Sequence, residues 1–530
     1  MEGIEVINRG TWIDKVAYEI INREKKLGRD MSIIKTESGL GASGIPHVGS
    51  MADAVRAYVV TLALRDMGYD SISIAFSDDM DGLRSVPQGL PKWLEDYLLM
   101  PVSMILDPFG CHSSYGEHMT SLLKESLDKA GIEYVHYSAR DVYRKGMLVK
   151  EIDEILRNAD KAGEIIYEET GQEKYLNVLP YYVVCKKCGR IYTTVVTEYD
   201  PKRKMVKYKC VGAEIKGKWY DGCGHEGWVK IDSDKGKLVW KVEFAARWRA
   251  LDIRFEAYGK DIADSVKVND RVSREILRFE PPYHIRYEMF LDESGRKITK
   301  SRGNVFTPQV WYRYGSPESL ILFLLKRFIG TRRVKLETIV YMMRELDYYR
   351  DVYHGKIKIE NPMKLAKMRG LIEYTYKLGP VPPVVVPYEV ILSLAEVAPE
   401  GKEREFILKR LDKYGYRYKP DDIEELIEYA VNWVREVGRP PLYEAEIELE
   451  PVYQEALKKF IEEIKDLSDG EEIQSVIFKT AREYNIPIKE FFKTLYIIIS
   501  GREYGPRLGP LIADIGVNKV IETIKKKLNI

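Results

Sequence analysis

The stretch SIIKTESGLGASGIPHVGS, residues 32–50, decides the fold class of this chain. Its first residues form a short apolar strand that runs into a glycine-rich turn at Gly39–Gly44, and the pattern after the turn predicts a helix at 49–67. Residues 71–76 predict a second strand. Strand, turn, helix and strand make a βαβ unit, which predicts a parallel sheet with ligands bound beyond the carboxyl ends of its strands.

The composition limits the possible functions. The chain has 530 residues, of which 45% are hydrophobic and 31% charged, as expected for a globular protein of roughly three to four domains. The net charge of +1 excludes a basic field over the whole molecule, so nucleic acid could be contacted only by local patches. The sequence contains no apolar run long enough for a membrane span and no signal peptide, which indicates a cytoplasmic protein.

The order of the elements predicts the domain organisation. We expect an α/β, Rossmann-type catalytic domain at 1–305, with an inserted region at 85–240 that carries the zinc sites. Inside the insertion, residues 121–180 are expected to be helical. A helical connection is expected at 306–350, followed by an all-α C-terminal domain at 351–530.

Two segments could bind phosphate. Gly39–Gly44 fits the G-x-G-x-x-G pattern of dinucleotide sites, but the helix is expected to begin near Gly49, so a purely structural turn is the alternative. His47 lies at this helix start, where the backbone N–H groups already favour an anion. The loop 297–301, KITKS, has two lysines and two hydroxyls that could neutralise a polyphosphate, and a solvated loop is the alternative.

These two segments resemble the signature motifs His-Ile-Gly-His and Lys-Met-Ser-Lys-Ser of class I aminoacyl-tRNA synthetases, with Ser50 in place of the last histidine of the first motif. Longer words narrow the resemblance to class I lysyl-tRNA synthetases of the archaeal type. They occur in that family's order and span nearly the whole chain. The words are ESGLGASGIPHVG at 37–49, DPFGCHSSYGEH at 107–118, WKVEFAARW at 240–248 and GREYGPRL at 501–508.

The resemblance implies ATP-dependent charging of tRNA-Lys with L-lysine through a lysyl-adenylate, with Mg²⁺ on the ATP. Positioning and charge neutralisation would carry the reaction without a protein nucleophile. Asp261 would contact the ribose, although Ile262 follows it where the family commonly has histidine. The implied catalytic residues are His47, Ser50, Lys297, Lys300 and Ser301, and the implied nucleotide-binding residues are Gly44, His47, Gly49, Ser50, Asp261 and Lys300.

The lysine pocket is predicted from the chemistry of its ligand. Glu37 and Trp248 are the candidates, because an ammonium group needs a carboxylate and gains from an aromatic face. Trp248 could equally be a core residue. Asp78 and Asp79 could bind Mg²⁺ or lysine, but helix capping is the favoured interpretation for them.

Four cysteines predict a structural zinc site. Cys185-Lys-Lys-Cys188-Gly189 has the form of a zinc knuckle, and Cys210 with Cys223-Gly224 supplies a second half across a longer loop. Symmetry favours Cys223 as the fourth ligand, with His225 as the alternative. Free buried thiols are the rival interpretation of the whole group.

A second group of metal-ligating side chains lies on a proline-rich loop. From the residues alone, zinc is only as well supported as a capping aspartate with surface histidines. The resemblance favours structural zinc, because the spacing matches the metal-binding word of the family. The four side chains are Asp107, Cys111, His112 and His118.

Two regions are expected to contact tRNA. Residues 326–335 hold five cations around one aromatic residue, with a solvated helix end as the alternative. The C-terminal helical domain would read the anticodon as unstacked bases. Its candidate contacts are Arg502, Arg507, Tyr504 and Tyr496, of which Tyr496 could equally be core.

Three other functions compete with lysine charging. They are a class I synthetase for glutamate, an NAD-binding oxidoreductase that uses Gly39–Gly44, and a non-catalytic tRNA-binding paralogue. The oxidoreductase gives no purpose to the 297–304 loop or to the helical C-terminal third. ATP–pyrophosphate exchange with each amino acid separates lysine from glutamate.

Overall fold

The computed structural model of the chain divides into two compact units. The described residues are 7–288, 290–291, 306–327, 330–438, 449–500 and 505–528. The first unit takes in Met1–Val310, Leu320–Lys335 and Lys358–Val381. The second unit takes in Trp311–Ser319, Leu336–Ile357 and Pro382–Ile530. The domain boundaries expected at 305 and 350 stay predictions.

Helices and strands alternate at the start of the chain and helices dominate its end. The helices are α1 (Trp12–Leu27), α2 (Val48–Asp66), α3 (Tyr115–Lys129), α4 (Ala139–Arg144), α5 (Val149–Arg157), α6 (Ala159–Thr170), α7 (Trp240–Leu251), α8 (Ala263–Glu275), α9 (Pro308–Tyr314), α10 (Pro317–Lys326), α11 (Leu336–Tyr353), α12 (Pro362–Thr375), α13 (Tyr388–Val397), α14 (Glu403–Lys413), α15 (Glu424–Glu436), α16 (Pro451–Ile464), α17 (Gly470–Glu483), α18 (Ile488–Ser500), α19 (Leu508–Ile515) and α20 (Val517–Leu528). The strands are β1 (Ile34–Leu40), β2 (Ser71–Ser77), β3 (Val135–Ser138), β4 (Tyr181–Val183), β5 (Thr194–Asp200), β6 (Met205–Cys210), β7 (Gly212–Ile215), β8 (Lys218–Asp221), β9 (Glu226–Lys230), β10 (Gly236–Leu238), β11 (Ile253–Gly259), β12 (Tyr283–Tyr287), β13 (Phe290–Leu291) and β14 (Arg332–Arg333).

Five parallel strands form the central sheet of the first unit, in the order β12-β11-β1-β2-β3. The strand order reverses between β1 and β11, which is the point where Rossmann-type sheets bind their ligands. α2 joins β1 to β2 and packs on both. Nearly every residue of α2 is buried, which is why the helix lacks a polar face. The predicted α/β class with a parallel sheet is confirmed.

The edge strand β3 corrects the expectation that residues 121–180 are helical. It pairs with β2 in parallel, from Ile74 opposite Val135 to Ser77 opposite Ser138. Its four residues, VHYS, are exposed or half-buried. So short and mixed a segment shows neither an apolar run nor a two-residue alternation, so the sequence pattern could not mark it.

Small antiparallel sheets fill the inserted region after α6. β5, β6 and β9 form a three-stranded sheet, β4 pairs with β10, and β7 pairs with β8 as a separate hairpin. The turn of that hairpin is Lys216-Gly217, and both residues have positive φ, 52° and 76°. Positive φ at both turn positions is the requirement of a two-residue type I′ turn, the connection that suits the twist of paired strands.

The second unit is helical, as the sequence predicts. α16 to α20 enclose an apolar core in which Tyr496 is buried, and its hydroxyl donates to the carbonyl oxygen of Gly505 at 3.1 Å. Tyr496 is therefore a core residue and not a surface contact for an anticodon. α19 and α20 are separate helices, because α19 ends at Ile515 and is followed by Gly516, whose φ is 98°. The candidates Arg502 and Tyr504 lie outside the described residues. Among the described residues, no helix combines the length and apolarity that crossing a membrane requires.

Candidate active site and metal centres

His47 caps the amino end of α2. Its Nδ1 accepts hydrogen bonds from the backbone N–H groups of Gly49 (3.0 Å) and Ser50 (3.3 Å). A ring nitrogen that accepts cannot carry the proton, so a neutral His47 is protonated on Nε2 and presents a donor there. The side chain thus satisfies two N–H groups of the helix start and offers a hydrogen bond donor to an anion beside it.

Gly49 is required by the position of the His47 ring. A Cβ at residue 49 would lie 2.8 Å from ring atoms of His47. This distance is shorter than a van der Waals contact, so a side chain there would displace the ring. Ser50 is buried in the first turn of α2, and Gly44 is buried in the preceding turn. The predicted nucleotide-binding residues of the first motif therefore surround one helix start.

Two residues on either side of the second predicted motif lie beside this helix start. The segment from 292 to 305, which contains Lys297, Lys300 and Ser301, lies outside the described residues. The two residues that flank it are described. Phe290 lies 3.5 Å from the position of a Cβ on Gly49, and the carbonyl of Phe306 accepts a 2.9 Å hydrogen bond from the N–H of Val48. The described residues Phe290 and Phe306, on either side of this segment, therefore both lie at the amino end of α2.

A buried arginine lies among three carboxylates where the strand order reverses. Nε of Arg247, on α7, is 2.5 Å from Oε1 of Glu37 on β1. Its terminal nitrogens lie 3.4 Å from Oδ1 of Asp78 and 3.3 Å from Oε1 of Glu256 on β11. Glu37 is 0% exposed, and neither of its carboxylate oxygens has a hydrogen bond of good geometry, the close contact with Arg247 included. One guanidinium is thus shared by more negative charge than it can satisfy.

Burial raises the pKa of two of these carboxyl groups, Glu37 and Asp78. Burial raises the pKa of Glu37 to about 8, with Glu256 and Asp78 adding to the rise and Arg247 opposing it. Burial likewise raises the pKa of Asp78 to about 7, again against the effect of Arg247. A second cation beside the cluster would favour the ionised forms and would be bound by them.

A cavity of about 350 Å³ opens beside this cluster at the carboxyl ends of β1 and β2. Its lining includes Asp78, Asp81 and Trp240 together with the turn residues Gly41–Ser43. Asp79 does not face it: Oδ1 of Asp79 accepts from the backbone N–H of Arg140 at 2.9 Å, near the start of α4. Asp79 therefore binds a backbone N–H in the first turn of α4, whose N-cap is Ser138, whereas Asp78 lines the cavity.

Trp248 contacts the acidic cluster through Glu256. Its side chain is 0% exposed, and Nε1 donates to Oε2 of Glu256 at 2.5 Å. The structure thus gives Trp248 the core position that was its alternative role, and it positions Glu256 without lining the cavity. Asp261 is exposed in the turn after β11, at the carboxyl edge of the same sheet.

The four cysteine thiols of the inserted region converge. Sγ of Cys185 is 3.5 Å from that of Cys223, and Sγ of Cys188 is 3.8 Å from that of Cys210. Zinc bound tetrahedrally at about 2.3 Å from each thiolate needs sulfur separations of about 3.8 Å. The thiols therefore fit a zinc ion. The four sulfur atoms all lie within 4.8 Å of one another.

Two matching backbone hydrogen bonds, each from a glycine to a cysteine carbonyl, lie beside these thiols. The N–H of Gly189 donates to the carbonyl of Cys185 at 2.8 Å, and the N–H of Gly224 donates to the carbonyl of Cys210 at 3.0 Å. Both glycines have positive φ, 72° and 74°. The ring of His225 instead pairs through Nδ1 with the hydroxyl of Tyr208 at 3.0 Å. This geometry favours Cys223 over His225 as a ligand.

The second group of ligand types is also brought together. Sγ of Cys111 lies 3.2 Å from Nδ1 of His112 and 3.2 Å from Nδ1 of His118, and His118 lies 3.4 Å from Asp107. Asp107 also accepts the backbone N–H groups of Cys111 and His112, each at 2.9 Å. Asp107 therefore stabilises the loop at 107–112 through backbone hydrogen bonds. The side chains of Cys111, His112 and His118 lie around it at the surface.

The basic segment after α10 is only partly available to a ligand. Arg332 donates to the carbonyl of Leu324 at 3.1 Å, in the last turn of α10. Burial lowers the pKa of Arg332 to about 9, with Arg56 and Arg327 adding to the fall. Arg332 is thus a structural residue, whereas Arg327, Arg333 and Lys335 are exposed.

Sequence reasoning missed Arg247 and Glu256. Arg247 stands next to Trp248 in the word at 240–248, and that word was interpreted only through its tryptophan. Glu256 lies in the buried strand IRFEAYG, which also contains Arg254, and a buried carboxylate in a central strand is a signal of function. The pairing of both with Glu37 depends on strand register, which a sequence alone does not reveal.

The sheet, its strand order and the cleft at its reversal point define a Rossmann-type nucleotide-binding catalytic domain. The chain belongs to the family "tRNA synthetases class I (K)", which it matches over residues 10–375. It is 48% identical over 533 residues to a lysine–tRNA ligase of Cenarchaeum symbiosum (strain A), covering 99% of this chain and 100% of that protein. It is 30% identical over 536 residues to a lysine–tRNA ligase of Roseobacter denitrificans, covering 98% and 96%.

A solved glutamate tRNA ligase from Elizabethkingia meningosepticum covers 94% of this chain and 99% of its own, at 12% identity. The TM-score of this pair is 0.32.

Proposed function

We propose that the chain is a lysine–tRNA ligase. It activates L-lysine with ATP, so that a carboxylate oxygen of lysine attacks the α-phosphorus and pyrophosphate leaves. A ribose hydroxyl of tRNA-Lys then takes the lysyl group and AMP leaves. Neither step needs a protein nucleophile, so positioning and charge neutralisation carry the rate.

The observation that carries the choice of lysine is the acidic cluster around Arg247. Glu37, Asp78 and Glu256 exceed the one guanidinium that they share, and Asp78 also lines the neighbouring cavity. An ammonium group in that cavity supplies the missing positive charge. A glutamate side chain there would add a fourth carboxylate beside a cluster in which Glu256 and Asp78 already raise the pKa of Glu37, so the cluster disfavours glutamate.

ATP binds at the start of α2 in this proposal. Nε2 of His47 and the N–H groups of the first turn donate to phosphate, and Gly44, Gly49 and Ser50 leave room for it. Lys297, Lys300 and Ser301 hold the departing pyrophosphate. The contacts of Phe290 and Phe306 with the first motif support this, because these two residues lie on either side of the lysine-rich segment. Asp261 holds the ribose, and Mg²⁺ enters on the phosphates of ATP.

The remaining roles follow from the same assignment. Glu37 and Trp248 contribute to the lysine pocket indirectly. Glu37 positions Arg247, and Trp248 positions Glu256. The four cysteines hold one structural Zn²⁺, and Asp107 with its three neighbours holds a second. The helical domain expected at 351–530 reads the anticodon of tRNA-Lys, and the enzyme works in the cytoplasm.

The test is aminoacylation, with ATP–pyrophosphate exchange measured in the presence of tRNA-Lys for lysine and for glutamate separately. Lysine should support both reactions and glutamate neither. Exchange with glutamate alone would overturn the assignment. A chain that binds tRNA but charges it with neither amino acid would be a non-catalytic paralogue.

A further inference from the structure

A cavity at the edge of the central sheet is not used by the proposed function. It measures about 570 Å³ and lies between α3, α4 and the ends of β2 and β3. Its lining includes Thr120, Lys124 and His136, and it shares no lining residue with the cavity that contains Asp78. Asp79 lines it instead, so two consecutive aspartates face different cavities. We call this space the edge cavity.

One face of α3 and the ends of two strands supply polar side chains to the edge cavity. The α3 residues recur at intervals of three and four positions, which places them on one side of the helix. They are Glu117, Thr120, Ser121 and Lys124. At the strand ends, Oγ of Ser77 and Nε2 of His136 are 2.8 Å apart, and both residues line the cavity. A space surrounded by so many hydrogen-bonding groups suits a polar ligand.

The hydroxyl of Thr120 lacks a partner. The residue is 6% exposed, and Oγ1 makes no hydrogen bond within the part of the chain that the structure describes. A hydroxyl in a helix ordinarily donates to the carbonyl four residues earlier, as Ser126 of the same helix does to Leu122 at 2.9 Å. A buried hydroxyl without a hydrogen bond is rare and costly. A polar ligand in the edge cavity would supply the acceptor that Thr120 lacks.

The edge cavity also contains unpaired positive charge. Four lysines and arginines line it with three carboxylates, each of which already accepts a hydrogen bond from the protein. The two arginines pair with Asp234 and Asp141. Among the described residues, no carboxylate lies within salt-bridge distance of the half-buried Lys124 or the exposed Lys145. Burial lowers the pKa of His136, and the charge of Lys124 adds to the fall. The cavity is therefore prepared for an anion.

We propose that the edge cavity binds a small phosphorylated molecule. Its phosphate accepts hydrogen bonds from Nζ of Lys124 and Oγ1 of Thr120, and Lys145 adds positive charge nearby. A phosphate group carries nearly two negative charges at neutral pH and three acceptor oxygens, so it can use both lysines and the hydroxyl at once. The inference is independent of the proposed function, because none of the proposed catalytic or lysine-binding residues lines this cavity.

Two other partners of phosphate are separated by the experiment. Backbone phosphates of tRNA have the same chemistry, but the three carboxylates in the lining disfavour a run of several phosphates. Zinc held by the group at 107–118 would offer phosphate a metal ion, since His112 also lines the cavity. Each alternative predicts a different response to substitution.

The probe is inorganic phosphate, titrated into the full chain with its histidine rings labelled with ¹³C. The chain has 7 histidines, and His136→Gln identifies the NMR signal of His136. Phosphate should shift that signal in a saturable manner. Phosphate at the start of α2 would shift the signal of His47 instead, so the two sites are observed separately.

Two substitutions on α3 test the contacts. Lys124→Ala should weaken phosphate binding at the His136 signal by roughly 10- to 100-fold, because it removes a charged donor. Thr120→Val keeps the shape of the side chain without its hydroxyl and should weaken binding by roughly 2- to 10-fold. Because that hydroxyl is unpaired in the free protein, Thr120→Val should fold normally and still decides if Lys124→Ala does not fold. Lys129→Ala is the matched control, exposed on the same helix and outside the lining, and should bind phosphate as the wild type does.

Four outcomes would overturn the inference. The first is a wild-type chain whose His136 signal shows no saturable shift, and the second is wild-type affinity in both Lys124→Ala and Thr120→Val. The third is a shift that Cys111→Ser abolishes and Lys124→Ala leaves intact, which would assign the phosphate to a metal ion. The fourth is an equal loss of tRNA-Lys affinity in Lys124→Ala, measured by filter binding, which would assign the phosphate to tRNA. Unchanged tRNA affinity with weakened phosphate binding supports the small ligand.

Discussion

Glu37 and Glu256 stand opposite each other on the adjacent parallel strands β1 and β11. Two carboxylates at neighbouring positions of a buried sheet repel each other unless a cation lies beside them. Arg247 supplies that cation by contacting both. Because it contacts Asp78 as well, it leaves the cluster with a deficit of positive charge, and this deficit is what a lysine side chain would fill.

Lysine affinity should fall as the pH is lowered through the pKa of Asp78. Burial raises that pKa to about 7, so Asp78 is ionised above pH 7 and protonated below it. The lysine ammonium stays charged throughout this range. It binds the ionised form, so affinity should decrease by up to about tenfold per pH unit below 7. Calorimetric titration of lysine between pH 6 and 8 measures this.

Asp78→Asn is the control for that profile. It should bind lysine more weakly at pH 8 and show a flatter dependence below pH 7, because the carboxyl group with a pKa of about 7 is gone while Glu37, with a pKa of about 8, remains. Affinity that rises as the pH falls would contradict the proposed role of the acidic cluster.

Removing Arg247 should destabilise the first unit strongly. Arg247→Met leaves the buried Glu37 without its cation and removes a cation from Asp78 and Glu256 as well, and breaking a buried ion pair on one side costs about 3–5 kcal/mol. The free energy of unfolding in urea should fall by that order. Arg144→Met is the comparison: Arg144 pairs with Asp141, but its side chain is 60% exposed, and exposed pairs contribute little. Equal effects of the two substitutions would mean that the cluster does not depend on Arg247.

The sequence predicts those features that depend on neighbouring residues. The strand–turn–helix at 32–50 and the turn at Cys185–Gly189 are each continuous in sequence, so local pattern identifies them. β3 was missed because four mixed residues carry no periodic signal. The partnership of Glu37 with Arg247 joins residues 210 positions apart, and only strand register and helix packing bring them together. Local sequence pattern does not predict charge pairs between residues that are so far apart in the chain.

His47 should have two separable roles. His47→Ala removes the acceptor for the N–H groups of Gly49 and Ser50, which should cost about 1 kcal/mol of stability as for other helix caps. It also removes the Nε2 donor for phosphate, so kcat should fall. His47→Asn keeps a side-chain acceptor and should recover the stability but not the activity. Thermal unfolding and charging assays on the same samples separate the two effects, and full recovery of activity by asparagine would contradict a phosphate contact through Nε2.

Lys300→Ala should lower the rate of adenylate formation without preventing lysine binding. A positive charge that contacts the leaving pyrophosphate acts mainly in the transition state, and loss of one such group typically costs about 10²–10³ in kcat. Pyrophosphate exchange in the presence of tRNA measures the rate, and calorimetry measures lysine affinity. Lys35, on β1 away from the carboxyl ends, provides the control Lys35→Ala. Wild-type exchange in the Lys300 variant would remove the second motif from the mechanism.

The cysteine cluster should hold one zinc ion through Cys223 and not through His225. The sulfur separations of 3.5 and 3.8 Å fit tetrahedral zinc, whereas the His225 ring is engaged with the Tyr208 hydroxyl. Cys223→Ser should therefore lose one equivalent of zinc by elemental analysis and unfold at a lower temperature. His225→Ala should keep its zinc, because it loses only a hydrogen bond.

Cys111→Ser provides the second comparison, since Cys111 belongs to the exposed group at 107–118. If that group also holds zinc, the wild type contains two equivalents, and Cys223→Ser and Cys111→Ser each lose a different one. The double variant should then contain none. Zinc retained at wild-type content by Cys223→Ser and lost by His225→Ala would show that the histidine is the ligand. The thiol of Cys223 would then lie close to the other three thiols without binding the metal.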